Sequence, residues 1–238
     1  MTMKYQLFLF DLDDTLLDFR ASEKLSFART LQQLGLDAVP DALFSRYQVI
    51  NTALWRSFEL GTVTKDVLKV QRFAQTFEEY GLAFDAQTAS NLYLESLSET
   101  AVLIDGALQL CANLSATAEV GIITNGVEAI QNRRLASTGL APYISFVATS
   151  EACGHAKPDV RFFDYAVKMA RPAAKEQIVI IGDRLDADIL GANRYGIDSC
   201  WFNPDGLVNG TQAVPTYEVD SLDTVLPVLN ATSLLSSR

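Results

Sequence analysis

Aspartates at 11 and 13, a threonine at 124, a lysine at 157 and aspartates at 183 and 188 are the side chains that could do chemistry together in this sequence. One histidine, His155, is present in 238 residues. That excludes a multi-histidine metal centre and would leave a Ser-His-Asp triad resting on a single imidazole, with no G-x-S-x-G elbow to accompany it. Any reaction must run on carboxylates, hydroxyls, lysine or a metal held by oxygen. Oxygen donors suit Mg²⁺, which commonly binds through one or two carboxylates plus phosphate and water. Two aspartates at i and i+2 allow a division of labour. One ionised carboxylate attacks phosphorus and forms an acyl phosphate. The other, partly desolvated among like charges, keeps a proton for the leaving oxygen and later takes one from water. Asp11, Asp183 and a doubly ionised phosphate would gather about four negative charges, untenable without compensation. Mg²⁺ and Lys157 return about three positive ones, and backbone N–H groups with the Thr124 hydroxyl absorb the remainder.

The elements that must position these groups are legible as short apolar runs. Tyr5 to Phe10 reads as a buried parallel-type strand, because it is short, aromatic-rich and not alternating. Val120–Ile123, Ser145–Ala148, Ile178–Ile181 and Ser199–Phe202 read the same way. Helical patterns separate them at about 106–116, 127–138, 158–170 and 187–195, so the expected fold is α/β, an open, mostly parallel, Rossmann-like sheet. Each chemical feature then falls at or just beyond the carboxyl end of a strand, where ligands bind in such sheets. Residues 18–100 differ: no strand is credible, and Leu43, Tyr47, Ile50, Leu54 and Phe58 recur at helical spacing. Gly35, Gly61 and Gly81 fall where helices would end, and Thr64 and Asp85 are plausible N-caps. The expected organisation is a catalytic core of residues 1–17 and 101–238 with an inserted all-helical cap of about four helices.

Asp11-Leu-Asp13-Asp-Thr15, Thr124-Asn-Gly126, Lys157-Pro-Asp159 and Gly182-Asp183 with Asp188 resemble, in this order, the four motifs of the haloacid dehalogenase-like superfamily. The resemblance covers essentially the whole chain. It implies Asp11 as nucleophile and Asp13 as general acid/base, with Mg²⁺ held by the Asp11 and Asp183 carboxylates and the Asp13 main-chain carbonyl. Thr124 and Lys157 would hold the phosphoryl group, aided by Asn125 and Gly126, and Asp188 would support Lys157 or a metal-bound water. Dehalogenases of this superfamily lack an acid at the place of Asp13, so the resemblance implies phosphate release and not halide displacement. Relatives often carry Ser or Thr after the motif-four aspartate, where this chain has Arg184. A narrower likeness, in Asn51–Trp55, Arg72-Phe73, Ser199–Asn203 and Pro215–Tyr217, is to the bacterial pyrimidine 5′-nucleotidase branch. It implies a nucleoside monophosphate substrate, with Asn51, Trp55 and Arg72 as the cap residues that bind it.

Each feature also has a plainer explanation. Asp11 and Asp13 could end a strand, Thr124 precedes an Asn-Gly turn signature, and most lysines are solvated. The four features in order outweigh those explanations taken singly. Asp14 is expected to serve the turn, Asp186 to sit at a helix N-terminus and His155 to be a loop residue. Trp55, Phe58 and Phe73 are spaced as core. Alternatives that keep the motifs are a sugar-phosphate or phosphoglycolate-type phosphatase and a phosphomutase; a non-catalytic phosphometabolite-binding protein is a further one.

A net charge of −10 argues against a nucleic-acid polymer as ligand, which needs clustered Lys and Arg. Three dispersed cysteines without a CxxC pair read as reduced thiols. With no bilayer-length apolar run and no secretory h-region, the expectation is a cytoplasmic protein without a membrane partner, monomer or homodimer. The residues from Ser233 to Arg238 read as a frayed end.

Overall fold

The computed structural model describes residues 3–233; residues 234–238, most of the expected frayed end, lie outside it. The chain forms two compact units, one of residues 1–18, 102–128 and 135–238 and one of residues 19–101 and 129–134.

The first unit is built on a parallel six-stranded sheet ordered β3-β2-β1-β4-β5-β6. Its strands are β1 (Leu7–Phe10), β2 (Glu119–Thr124), β3 (Phe146–Thr149), β4 (Ile178–Gly182), β5 (Asp198–Phe202) and β6 (Tyr217–Val219). The expected open α/β sheet is therefore present, with β6 as a sixth strand at its edge. Every residue of β1 and β4 is buried, as continuous apolar strands covered on both faces must be. Alternate side chains separate the two faces. Phe8, Phe10, Val120, Ile122, Val179 and Ile181 join a core with Leu110 and Leu114 of α5 (Ala107–Ser115) and with Val225 and Leu229 of α10 (Val225–Ser233). Leu7, Leu9, Ile123, Ile178 and Ile180 face Phe162, Phe163 and Ala166 of α8 (Val160–Met169). Burying each such side chain stabilises by about 1.5–3 kcal/mol.

The sheet's crossovers reverse direction on either side of β1. In register Phe10 stands opposite Ile122 on β2 and Ile181 on β4. The carboxyl ends of β1, β2 and β4 thus open side by side at the topological switch point.

The second unit holds α1 (Phe19–Gln33), α2 (Asp41–Glu59), α3 (Lys65–Tyr80) and α4 (Ala86–Glu99). Thr64 caps α3 by accepting from the Val67 N–H, and Asp85 caps α4 by accepting from that of Thr88. Gly81 closes α3 at φ +63°, a left-handed conformation that glycine adopts without Cβ strain. The core is aromatic: Phe27 and Tyr47 lie 4.4 Å apart between ring centroids, Tyr47 and Phe73 5.3 Å, and Phe73 and Tyr93 5.5 Å. Residues 129–134 belong to this unit although their helix, α6 (Glu128–Ser137), follows β2. The fully buried Arg134 holds its guanidinium 5.7 Å from the Phe19 ring centroid and donates to Gln131.

Candidate active site

Asp11 extends β1 by one ladder bond, its N–H donating to Ile181 O at 2.9 Å. That fixes the carboxylate at the sheet's upper edge, where it is only 7% exposed. The chain then turns sharply: Asp14 adopts φ +56° and its N–H donates to Leu17 O at 2.7 Å. Asp14 therefore serves the turn. The same turn carries the fully buried Thr15, whose hydroxyl donates to Asp183 Oδ1 at 3.3 Å, and leaves Asp13 half-buried.

Lys157, 3% exposed, is no surface lysine. Its ammonium donates to Asp11 Oδ1 at 2.6 Å, to Asp188 Oδ1 at 2.7 Å and to Ile123 O at 2.9 Å, which uses all three of its donors. Asp188 has no exposed surface, and its other oxygen accepts from the Arg184 N–H at 3.1 Å. Both of its oxygens are thus held by protein donors. It precedes α9 (Leu190–Tyr195) within a π-helical turn, Leu185–Ile189, where the sequence pattern predicts the start of an ordinary helix. Asp186, expected at a helix N-terminus, lies in this turn and accepts both arms of the Arg184 guanidinium at 3.0 and 2.9 Å. The Trp201 indole on β5 donates to the main-chain oxygen of Asp183 at 2.9 Å.

One carboxylate oxygen each from Asp11, Asp183 and Asp188 fall within 4.8 Å of one another. Burial pushes Asp11 up to about 7, against the attraction of Lys157 and with the repulsion of Asp188 and Asp13. Asp183 is raised well above the ordinary carboxylate range, by burial first and then by Asp11, Asp188 and Asp14. Asp14 thereby has an electrostatic part that its role in the turn does not reveal. Lys157 is lowered by burial and raised more strongly by Asp11 and Asp188, so it stays protonated. Hard oxygen donors and a local excess of negative charge are the setting in which Mg²⁺ binds.

Thr124 is buried, and its hydroxyl accepts from the Gly126 N–H at 3.0 Å. Asn125 turns its side chain onto the backbone of Lys157. His155 is a half-buried loop residue. Asp11, Lys157, Asp183 and Asp188 come together in the first unit with Thr124 at the adjoining strand end, whereas Asn51, Trp55 and Arg72 belong to the second. There Asn51 donates to Glu23 Oε1 at 2.8 Å and accepts from Arg72 at 3.3 Å. The Arg72 guanidinium lies 4.4 Å from the Tyr93 ring centroid. Trp55 is half-buried and meets Phe58 edge-on at 5.7 Å. Sequence reasoning missed Glu23, which no motif marks. It also missed the parts played by Thr15 and Trp201; Thr15 stands inside the first motif, but nothing in the pattern gives it Asp183 as a partner.

A family model described as haloacid dehalogenase-like hydrolase matches residues 5–196. The pyrimidine 5′-nucleotidase PynA of Streptococcus pneumoniae is 38% identical over 229 residues, covering 96% of each chain. The pyrimidine 5′-nucleotidase YjjG of Escherichia coli is 32% identical over 92% of this chain and 96% of its own. Among solved structures, that of the Bacillus subtilis protein YfnB bound to magnesium superposes with a TM-score of 0.89 at 36% identity, covering 95% of this chain and 99% of that one. A parallel sheet with buried acidic groups at its switch point and a family model spanning most of the sequence lead to one conclusion: the chain belongs to the haloacid dehalogenase-like hydrolases.

Proposed function

We propose that this hydrolase is a magnesium-dependent phosphatase acting on nucleoside 5′-monophosphates, pyrimidines preferred, through an aspartyl phosphate at Asp11. The observation that carries the reaction class is the pairing of Asp11 with Lys157 at 2.6 Å beside Asp183 and Asp188. This is a nucleophile-sized carboxylate next to a fixed cation in a cluster suited to a divalent metal. The likeness to PynA and YjjG supports the substrate class.

In this reading the Asp11 carboxylate forms a bond to phosphorus as the bond to the leaving oxygen breaks, and Asp13 gives that oxygen a proton. Asp13 then takes a proton from the water that cleaves the acyl phosphate, which returns Asp11 and Asp13 to their starting states. Lys157, Thr124 and the backbone at Asn125 and Gly126 hold the phosphoryl oxygens. Asp188 keeps Lys157 in place. The carboxylates of Asp11 and Asp183 and the Asp13 carbonyl would hold Mg²⁺, which neutralises charge on the phosphoryl group when bound. Asn51, Trp55 and Arg72 are the residues of the helical unit proposed to select the nucleoside. The protein works on a small soluble metabolite, and among the described residues no helix is long and apolar enough to cross a membrane.

The test is phosphate release, with and without EDTA, from a panel of deoxy- and ribonucleoside monophosphates, sugar phosphates and phosphoglycolate. Uridine and deoxyuridine monophosphates are expected to lead, with release abolished by EDTA and by Asp11→Asn. A sugar phosphate in first place would overturn the substrate reading. An isomerised product without free phosphate would make the protein a phosphomutase.

A further inference from the structure

Lys157 can serve Asp11 only if its backbone is held at a fixed distance and direction from β1, because its four-carbon stem is otherwise free to rotate. The structure shows what holds it. The Asn125 side chain makes two bonds to the main chain of Lys157: Oδ1 accepts from the Lys157 N–H at 2.9 Å, and Nδ2 donates to the Lys157 carbonyl at 3.1 Å. A primary amide that engages the N–H and the C=O of one residue does what a neighbouring strand would do, at a place where β2 has ended. Asn125 is itself 9% exposed and anchored, since its carbonyl accepts from the Ser150 hydroxyl at 3.2 Å. Ser150 opens the short helix α7 (Ser150–Cys153), whose cap Thr149 both accepts from the Ala152 N–H at 3.2 Å and donates to Glu128 at 2.7 Å. The ends of β2 and β3 are thereby tied to the residue that carries the ammonium.

We propose that Asn125 is a positioning residue of the reaction: its amide clamps the backbone of Lys157 and so places the ammonium between Asp11 and Asp188. The side chain that the sequence assigns to substrate acts on substrate through the lysine. Serine or alanine cannot reproduce this, because neither offers a donor and an acceptor at amide spacing. Aspartate reproduces half, keeping the acceptor for the Lys157 N–H and losing the donor to its carbonyl.

The experiment has two arms on the full-length protein. In the first, wild type, Asn125→Ala and Asn125→Asp are labelled briefly with an amine-acetylating reagent, and modification is read per lysine by mass spectrometry. Lys65, 7% exposed in the helical unit, is the internal control. Lys157 labelling is expected to rise about tenfold relative to Lys65 in Asn125→Ala and less in Asn125→Asp. In the second arm, phosphate release from uridine monophosphate with Mg²⁺ is expected to show kcat lower by roughly tenfold to a hundredfold in Asn125→Ala, the scale on which a displaced catalytic group acts. Asn125→Asp should fall between it and wild type. A Lys157 that stays protected while kcat falls would show that Asn125 meets the substrate itself and would overturn the inference, as would unchanged kinetics. Should Asn125→Ala lose its fold, with Lys65 labelled as fully as Lys157, the decision rests on Asn125→Asp in both arms. The kinetic arm rests on the phosphatase reading and the labelling arm does not. A wild type that releases no phosphate thus defeats that reading while the labelling still decides this one.

Discussion

The Asp188 carboxylate stands where a side chain on Gly182 would have to begin. A Cβ at Gly182 would meet Asp188 Oδ2 at 2.4 Å, its Cγ at 2.5 Å and its Cβ at 2.7 Å. The obstacle includes the root of the side chain, so a small rotation cannot relieve it. Asp188 is tethered as well, to Lys157 and to the Arg184 N–H. Gly182→Ala is therefore expected to displace Asp188 and with it the ammonium of Lys157. Stability should fall by about 1–3 kcal/mol, as for other overpacked cores, and kcat by roughly tenfold to a hundredfold. Thermal unfolding and phosphate release measure the two, and a variant with undiminished kcat would show that Asp188 can move without consequence.

Lys157 is the sole side-chain cation bonded to Asp11 and Asp188 in the described residues. Lys157→Met keeps most of the apolar volume and leaves two buried carboxylates without that charge. Breaking a buried pair in this way costs about 3–5 kcal/mol. Adding Asp188→Asn removes one of the stranded charges and should recover part of the loss. Urea denaturation in EDTA compares the three proteins, and a double variant less stable than Lys157→Met would contradict this account of the charge balance.

Metal binding should be visible without turnover. Mg²⁺ at about a hundredfold above its dissociation constant stabilises the folded state by about 2.7 kcal/mol, which corresponds to a rise of roughly 5–10 °C in Tm for a chain of this size. Asp183→Asn is expected to abolish that rise and Mg²⁺-dependent phosphate release together. An Asp183→Asn protein that retains the full Mg²⁺ shift would place the ion elsewhere.

At the opposite end of the sheet, Asp198 accepts from Lys4 at 2.6 Å and from the Tyr5 hydroxyl at 2.7 Å. Burial pushes this carboxyl up, but those hydrogen bonds and the Lys4 charge outweigh it and hold the group below its ordinary value. A carboxyl depressed on folding contributes stability above its unfolded pKa, about 3.9, and loses it as pH falls through the lower folded value. Asp198→Asn should therefore lower Tm at neutral pH and flatten its decline as the pH falls below about 5. Wild type and variant declining in parallel through that range would remove Asp198 from the acid response.

The strands and the inserted helices were legible because their signals are local. Ile178–Ile181 is apolar throughout, and Thr64, Gly81 and Asp85 mark helix ends by chemistry that acts within four residues. β6 was not legible, since three residues with an exposed Glu218 make no pattern apart from the strand they join. Nor was the π-helical turn at Leu185–Ile189, because five residues are too few to separate its period from that of an α-helix. The candidate aspartates could be named from motif order, but not which protein groups hold each oxygen of Asp188. Asn125 shows the limit most plainly. An Asn-Gly pair signals a turn, whereas its grip on Lys157 spans 32 positions and depends on two strand ends lying side by side. Asn51 and Arg72 were named through the narrower family likeness, whereas the bond from Asn51 to Glu23 reaches a residue on another helix that neither likeness nor spacing marks.

Trp201 gives the molecule an optical gauge of its own chemistry. The indole is 3% exposed and bonded to the main-chain oxygen of Asp183, while the other tryptophan, Trp55, sits in the helical unit, and Trp55→Phe removes its emission at the expense of the nucleoside contact proposed for it. In such a single-tryptophan protein, anything that draws on Asp183 alters the polarity and hydrogen bonding felt by one fluorophore. Emission then becomes a titration signal for the site that needs neither substrate nor label.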